Sequence, residues 1–442
     1  MMIMEWYSAL LLLIGVVVLL MFAGSWVAFA FFAVNIIGVF IFLRGEIGLS
    51  SMPMEFVLSI TKFSFVPVAL FILMGEIMFQ TGVAYRAIRA IDPLIRRLPG
   101  RLSIVSVTSG TVFSALTGST IANTAIMGKV MLPEQLERGY SPTLAMGSIM
   151  AVGGIAMLIP PSALAVLLAS LAEGSIKDLL LAGVVPGLLM AILFIAYIVV
   201  RCWLDPSLSP AGSEEEEIID KRRAWRGFFT DVVPLLLIFG VVVGSIIFKI
   251  ATPEESAALG CIAAVIACLC YRQLDLKTLM KALRETAKVN TMILFVIAGS
   301  ATFSQILQIS GATGGFLRMI GTWELSTLAA LMLIIAVLLF LGAFMDQVSM
   351  MLLTLPFFLP LAAASDINLL VLLIVMLVAL EIGLLTPPFG LLLFVMQGVV
   401  PPWIKLGMIY RAALPFLGIE LFVLGVIVFW PLAATWLPLA FK

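Results

Sequence analysis

Long runs of apolar residues, separated by short polar segments, restrict the folding of this chain more than any other feature. Residues 7–24, 26–43 and 63–81 each approach the ~20 apolar residues that a helix needs to cross a bilayer, and similar runs continue to the end of the chain. Hydrophobic residues make up 63% of the 442 residues and charged residues only 11%. A soluble domain cannot cover that much apolar surface. The sequence therefore predicts an all-α, polytopic membrane protein.

The composition also argues against several kinds of function. The chain has no histidine, which removes the usual acid–base residue and the commonest transition-metal ligand. The chain lacks a basic patch with interleaved aromatic residues, so the sequence does not indicate binding of nucleic acid. The first apolar run lacks the basic segment and the cleavage site of a signal peptide, so we expect it to remain as a membrane span.

Interruptions of the apolar runs recur at a constant offset along the chain. The offset is 227 positions in each of three pairs: Pro133 and Pro360, Pro160 and Pro387, and Pro161 and Pro388. The same offset places Ser119 on Asp346. A constant offset indicates an internal duplication, and matched Gly/Pro interruptions in two halves point to the binding site of a transporter. We predict one repeat over residues 1–204 and a second over residues 228–442, joined by a cytoplasmic linker over residues 205–227.

Each repeat contains one apolar stretch that is polar in its middle and one that is broken. The first kind covers residues 102–136 and 325–364, and we interpret both as re-entrant helical hairpins. The second kind covers residues 143–171 and 369–400, and we interpret both as broken transmembrane helices. Non-helical backbone at this depth is tolerated only where protein or water surrounds it. The hairpin tips and the helix breaks are therefore expected to meet inside the protein.

Five spans and one hairpin per repeat require the two repeats to have inverted topology. Arg86, Arg89, Arg96 and Arg97 precede the first hairpin, whereas Glu324 and Asp366 flank the second. Because positive residues stay in the cytoplasm, the first hairpin is predicted to enter from the cytoplasm and the second from the periplasm. Both termini are then periplasmic.

Amphipathic patterns over residues 85–98 and 276–288 predict helices in the membrane interface. Residues 289–307 and 412–439 are predicted spans, and residues 311–323 a glycine-rich connector.

The polar residues at the interruptions suit the binding of a cation and an anion. A helix that ends in mid-membrane leaves carbonyl groups without partners at its C-terminus, and sodium can satisfy them. Oxygen atoms for this ion are expected at one tip from Thr117, Ser119, Thr120 and Asn123, and at the other from Asp346. Pro160 and Pro387 have no N–H and free further carbonyls. Helix N-termini offer N–H groups to an anion instead. The substrate is predicted to bind at Ser119, Thr120, Pro161, Ser162 and Pro388.

At these residues the chain resembles the large membrane subunit of tripartite ATP-independent periplasmic (TRAP) transporters, the DctM-like family. The resemblance covers nearly the whole chain and includes FSALTGSTIANTAIMG (113–128), MLIPPS (157–162), LGAFMD (341–346) and LEIGLLTPPFGLLLFV (380–395). It implies an elevator-type transporter driven by sodium, the coupling ion. The sodium ligands that it implies are Thr117, Gly118, Ser119, Asn123, Gly154 and Pro160 in the first repeat, and Gly342, Asp346, Gly383, Thr386 and Pro387 in the second. Two departures are Thr117, in place of the usual Ser, and Lys129, in place of a small residue.

The resemblance also implies two protein partners: a small four-span (DctQ-like) membrane subunit, and a soluble periplasmic substrate-binding protein. The leading hypothesis is sodium-coupled uptake of a small carboxylate across the bacterial inner membrane. A stand-alone divalent-anion/sodium symporter, which needs no binding protein, is the alternative. An intramembrane enzyme is a weaker one, because no reaction centre is evident. The sequence leaves open the substrate, the oligomeric state, the sodium stoichiometry and the roles of Glu76, Lys129, Glu381 and Glu420.

Overall fold

A computed structural model describes residues 4–43, 45–83, 86, 90, 98–117, 120–210, 225–388 and 390–441, with the backbone alone at positions 113, 115–117 and 122. Three sequence predictions lie wholly or mostly outside these residues: the interfacial helix over 85–98, the linker over 205–227, and the tip residues Gly118 and Ser119. The side chain of Thr117 lies outside them too. All regular secondary structure in the described residues is helical.

The described α-helices fall into two successive groups. The first comprises α1 Trp6–Phe22, α2 Val27–Phe42, α3 Glu46–Ile60, α4 Val66–Gln80, α5 Arg101–Thr117, α6 Thr120–Glu137, α7 Pro142–Ile155, α8 Ala163–Leu171 and α9 Ile176–Leu204. The second comprises α10 Val233–Ile247, α11 Pro253–Cys270, α12 Leu276–Ile309, α13 Ala312–Gly321, α14 Thr327–Gly342, α15 Gln347–Ala364, α16 Leu369–Leu385, α17 Leu391–Gln397, α18 Leu406–Phe429 and α19 Leu432–Ala440.

Seven helical segments in the described residues are long and apolar enough to cross a membrane, and five further apolar helices are shorter. Large apolar side chains such as Leu11, Trp203 and Phe429 are more than two-thirds exposed. Such side chains belong against lipid rather than water. The prediction of an all-α, multi-pass membrane protein is therefore confirmed.

Three boundaries differ from those that the sequence suggested. Residues 276–288 and 289–307, predicted as an interfacial helix and a separate span, form the single helix α12 of 34 residues. No Pro or Gly separates the two segments, and Asp275 caps the start by accepting the N–H of Thr278 at 2.7 Å. The glycine-rich connector over 311–323 contains the helix α13, and the predicted last span is divided into α18 and α19.

The helices α7 and α16 lie at the centre of the molecule. Every residue of α7 from Leu144 to Ile155 is buried, as is every residue of α16 from Val371 to Leu385. A helix that is apolar on all sides belongs inside a protein. At 1.5 Å per residue, 14 and 17 residues span about 21 and 26 Å, less than the ~30 Å hydrocarbon core. After a break of a few residues each is followed by a short helix, α8 after α7 and α17 after α16, so α7 and α16 are called the interrupted helices below.

The helices pack in two sets that meet along α4 and α12. The first set joins α2, α3, α4, α11 and α12. In the second set, α7 packs against α5, α6 and α18, and α16 packs against α14, α15 and α18. The short helix α17 reaches back to α6 and α7, and α7 also contacts α16. Each interrupted helix thus lies against its own hairpin, and the two interrupted helices contact each other.

Candidate functional site

The described part of the first hairpin tip is anchored at the end of α7. Thr120, the first residue of α6, is 2% exposed. Its hydroxyl lies 2.9 Å from Oε1 of Glu381 and 3.3 Å from the carbonyl oxygen of Gly153. A methyl group at Gly153 would stand only 2.7 Å from Thr120 Cγ2, so this approach depends on the missing side chain. Thr120 thereby connects the first hairpin to both interrupted helices.

Asn123 is completely buried beside the same helix end. Its Nδ2 donates to Oγ of Ser114, which in turn donates to the carbonyl oxygen of Val152 at 3.3 Å. Among the described residues, its Oδ1 has no hydrogen-bond partner, and neither has the buried Oγ1 of the adjacent Thr124. Oxygen atoms without partners are costly in a membrane interior. Buried acceptors at a carbonyl-rich helix end fit the donor set of a hard cation such as sodium.

Gly154 makes room for a second buried carboxylate. A Cβ atom at this position would lie 2.2 Å from Oε1 of Glu420, a fully buried residue of α18. Glu381 of α16 is also fully buried. Both acidic residues were recognised in the sequence, but their common position at the end of α7 was not. Ser114 and Thr124 were missed altogether, although Thr124 follows Thr120 by one helical turn.

In the second group of helices, the C-terminal ends of α14 and α16 meet through two glycines. A Cβ atom on Gly342 would lie 2.6 Å from Cα of Gly383, and a Cβ atom on Gly383 equally close to Cα of Gly342. The contact is between backbones, so no side chain can move aside. Two carbonyl ends, each carrying partial negative charge, are therefore held side by side.

Asp346 lies at the start of α15 and caps that helix. Its Oδ2 accepts the N–H groups of Val348 and Ser349 at 3.1 and 3.2 Å, and its Oδ1 accepts the hydroxyl of Ser349. Capping of this kind stabilises a helix start with or without a bound cation. The predicted role of Asp346 as a sodium ligand thus needs an experiment that separates charge from capping.

The remaining predicted site residues form the two helix breaks. Thr386 donates its hydroxyl to the carbonyl oxygen of Ile382 at 2.7 Å, and the carbonyl of Pro388 accepts the hydroxyl of Tyr410 at 2.8 Å; Pro387 lies between them. In the first group of helices, Pro160 and Pro161 are buried between α7 and α8.

Ser162, predicted to contact substrate, is completely buried and caps α8 by accepting the N–H of Ala165 at 3.2 Å. Lys129 is exposed and forms no ion pair among the described residues. Glu76 accepts a hydrogen bond from Gln80 at 3.0 Å, one helical turn away.

Comparison with known proteins identifies the family. The C4-dicarboxylate TRAP transporter large permease protein DctM of Pseudomonas aeruginosa is 33% identical over 379 residues, which cover 85% of this chain and 86% of that protein. The sialic acid TRAP transporter large permease protein SiaM of Vibrio cholerae is 28% identical over 422 residues, which cover 95% of this chain and 96% of that protein. The YdaH transporter of Alcanivorax borkumensis has a similar fold, with a TM-score of 0.61 at 16% identity, over 90% of each chain.

The family model for the DctM component of the tripartite ATP-independent periplasmic transporter matches residues 14–433, nearly the whole chain. The match extends across both hairpins and both interrupted helices. The chain therefore belongs to the DctM family and is the large membrane subunit of a TRAP transporter, a transport protein rather than an enzyme.

Proposed function

We propose that this subunit carries a small organic anion across the bacterial inner membrane by secondary transport coupled to sodium. The observation that supports this most directly is a pair of buried oxygen atoms at the carbonyl end of α7, Asn123 Oδ1 and Thr124 Oγ1, which have no partner in the described part of the chain. A second support is the convergence of two carbonyl ends at Gly342 and Gly383. Two of the relatives are named as transporters of C4-dicarboxylates and of sialic acid, which favours a carboxylate as the substrate.

The proposal includes two partners, a small four-span membrane subunit and a periplasmic substrate-binding protein, because the family is tripartite. It also includes an elevator motion. The hairpins and interrupted helices would move as one unit against the set formed by α2, α3, α4, α11 and α12. The packing of the described helices into two sets supports this division.

The test is uptake by proteoliposomes that contain this chain and its small subunit. A radiolabelled C4-dicarboxylate and radiolabelled sialic acid serve as probes, each with its own binding protein. We expect uptake only with an inward sodium gradient and only with a binding protein present. Uptake without a binding protein would favour the stand-alone symporter, and uptake without sodium would contradict coupling.

Inverted topology makes a prediction about the bases of the two hairpins. Glu137 ends α6 and Ala364 ends α15; both are exposed and they are separated by the same 227 positions as the paired prolines. We expect Glu137→Cys to react with a membrane-impermeant thiol reagent only from the cytoplasm, and Ala364→Cys only from the periplasm. The background carries Cys270→Ser, because Cys270 is exposed while Cys202, Cys261 and Cys268 are buried. Labelling of both variants from one side would exclude inversion.

Asn123 provides a prediction about how sodium affects the binding of substrate. Asn123→Ala removes the free Oδ1, so we expect the half-saturating sodium concentration to rise about tenfold, the effect of roughly 1.4 kcal/mol. Because linkage is reciprocal, the apparent affinity for substrate should fall at low sodium. At saturating sodium it should recover. Substrate affinity that stays low at every sodium concentration would show that Asn123 contacts the substrate instead.

A further inference from the structure

The second helices of the two hairpins, α6 and α15, correspond in sequence position but differ in exposure. Helix α6 covers Thr120–Glu137 and α15 covers Gln347–Ala364, so both ends lie 227 positions apart. Along one stripe, each residue of α6 is more exposed than its counterpart on α15. The stripe consists of Ile121, Ala125 and Lys129 on α6, and of Val348, Leu352 and Pro356 on α15.

Helix α12 covers this stripe on α15. The hydroxyl of Ser300 donates to the carbonyl oxygen of Leu352 at 3.2 Å. Pro356 cannot donate to that carbonyl from within α15, because proline has no N–H. One turn farther along both helices, Ser304 and Pro356 line a cavity of about 450 Å³ between α12 and α15. The second hairpin is therefore docked on the first set of helices through α12.

In the part of the chain that the structure describes, α6 has no comparable cover. Its main contacts are with α5, α7 and α17, none of which belongs to the first set. The offset places α4, Val66–Gln80, on residues 293–307 of α12, the part of that helix that covers α15. In this structure α4 packs against α5 and α8 instead. The two hairpins thus contact the first set in different ways.

Lys129 indicates that the exposed stripe of α6 faces water rather than lipid. It lies eight residues before the end of α6, about 12 Å into the hairpin at 1.5 Å per residue. A lysine at this depth is costly in hydrocarbon and belongs in a water-filled space. Ile121, on the same stripe, is 39% exposed. An apolar side chain exposed in such a place marks a contact surface.

We propose that the stripe of α6 docks on α4 in a second conformation of this chain, in which α15 has left α12. The contact joins Ala125 to Leu73, because these residues lie 227 positions before Leu352 and Ser300. Helix α4 then exchanges α5 and α8 for α6. The inference rests on the proposed elevator motion and names a contact that ends it. Lipid or the small subunit would cover the stripe in every conformation, whereas α4 reaches it in only one.

Paired cysteines test the two contacts in proteoliposomes that contain the full chain and its small subunit. The pairs are Ser300→Cys with Leu352→Cys and Leu73→Cys with Ala125→Cys, both in the Cys270→Ser background. Copper phenanthroline oxidises the thiols, and peptide mass spectrometry identifies the bridges. We expect both pairs to bridge, each bridge to abolish uptake of the radiolabelled C4-dicarboxylate, and dithiothreitol to restore it. The crossed pair, Leu73→Cys with Leu352→Cys, is the control and should stay unbridged.

A protein with all four introduced cysteines tests whether the contacts alternate. After oxidation and alkylation of the remaining thiols, its intact mass should show one bridge per molecule and never both. Molecules with both bridges would overturn the alternation. A Leu73–Ala125 pair that stays unbridged while Ser300–Leu352 bridges would overturn the docking of α6 on α4. If maleimide labelling of Lys129→Cys also falls when the small subunit is added, that subunit is the cover instead.

A tryptophan substitution gives a second outcome if a cysteine pair does not fold. Ala125 is half-exposed in this conformation, so Ala125→Trp has room here but would be overpacked between α6 and α4. Its uptake should fall by about tenfold or more, while binding of radioactive sodium persists. Ala196→Trp, on an exposed face of α9, is the matched control and should transport normally. Normal uptake by Ala125→Trp would overturn the inference, whereas bridging of both pairs without any sodium-dependent uptake would overturn the proposed function alone.

Discussion

Replacing Gly383 with alanine is expected to abolish most sodium-dependent uptake while leaving the protein in the membrane. The new methyl group would lie 2.6 Å from Cα of Gly342, closer than any real contact, and both partners are backbone. The ends of α14 and α16 must then separate. Overpacking of this kind costs about 1–3 kcal/mol, equivalent to a decrease of roughly five- to 150-fold in an affinity or rate. Because the proposed sodium site needs both carbonyl ends, the effect should fall on sodium affinity.

The measurement is uptake as a function of sodium concentration, together with the amount of monodisperse protein recovered after purification. Gly240→Ala is the matched control, since Gly240 lies inside the membrane helix α10 and a Cβ atom there would meet nothing within 4 Å. That variant should transport normally, because alanine favours the helix. Gly342→Ala should reproduce the defect of Gly383→Ala. Normal sodium affinity in both glycine variants would show that the carbonyl ends do not form a sodium site.

Much of the architecture was predictable because membrane helices carry strong signals. Runs of apolar residues mark the spans, and Pro and Gly mark the places where α7 and α16 end. Helix ends in water-exposed segments carry weaker signals. The helix α12 is longer than predicted because Leu276, Met280 and Leu283, more than 40% exposed, form a stripe that merely continues the spanning helix. Amphipathicity alone cannot tell an interfacial helix from such an extension.

The residues of the candidate site could be predicted only where they lie within one continuous segment of the sequence. Thr120, Asn123 and Asp346 adjoin the interruptions, and their polarity in apolar surroundings attracts attention. The approach of Glu420 to Gly154, by contrast, joins residues that are far apart in the chain and lie on different helices. The sequence periodicity of α18 does not show whether its buried glutamate faces the end of another helix or some other part of the protein. Tertiary packing decides this, and no single-sequence pattern records it.

Asp346 caps a helix and is also a proposed sodium ligand, and a pair of substitutions can separate the two roles. As the cap of α15 it accepts two backbone N–H groups, and asparagine does this almost equally well. As a proposed sodium ligand it supplies negative charge, which asparagine lacks. We therefore expect Asp346→Asn to unfold at nearly the original temperature and to require at least about tenfold more sodium for half-maximal uptake, a loss of roughly 1.4 kcal/mol in ion binding.

Asp346→Ala should show both defects. Loss of the cap costs about 0.5–2 kcal/mol, so this variant should unfold at a lower temperature than Asp346→Asn and should also bind sodium weakly. Asn368 offers a matched control, because it caps α16 by accepting the N–H groups of Leu370 and Val371 at 2.9 and 3.4 Å, at the opposite end of that helix from Gly383. Asn368→Ala should lower the unfolding temperature without changing the sodium dependence. If Asp346→Asn keeps the original sodium dependence and only Asp346→Ala is impaired, Asp346 is a helix cap and the charge at the second tip must come from elsewhere.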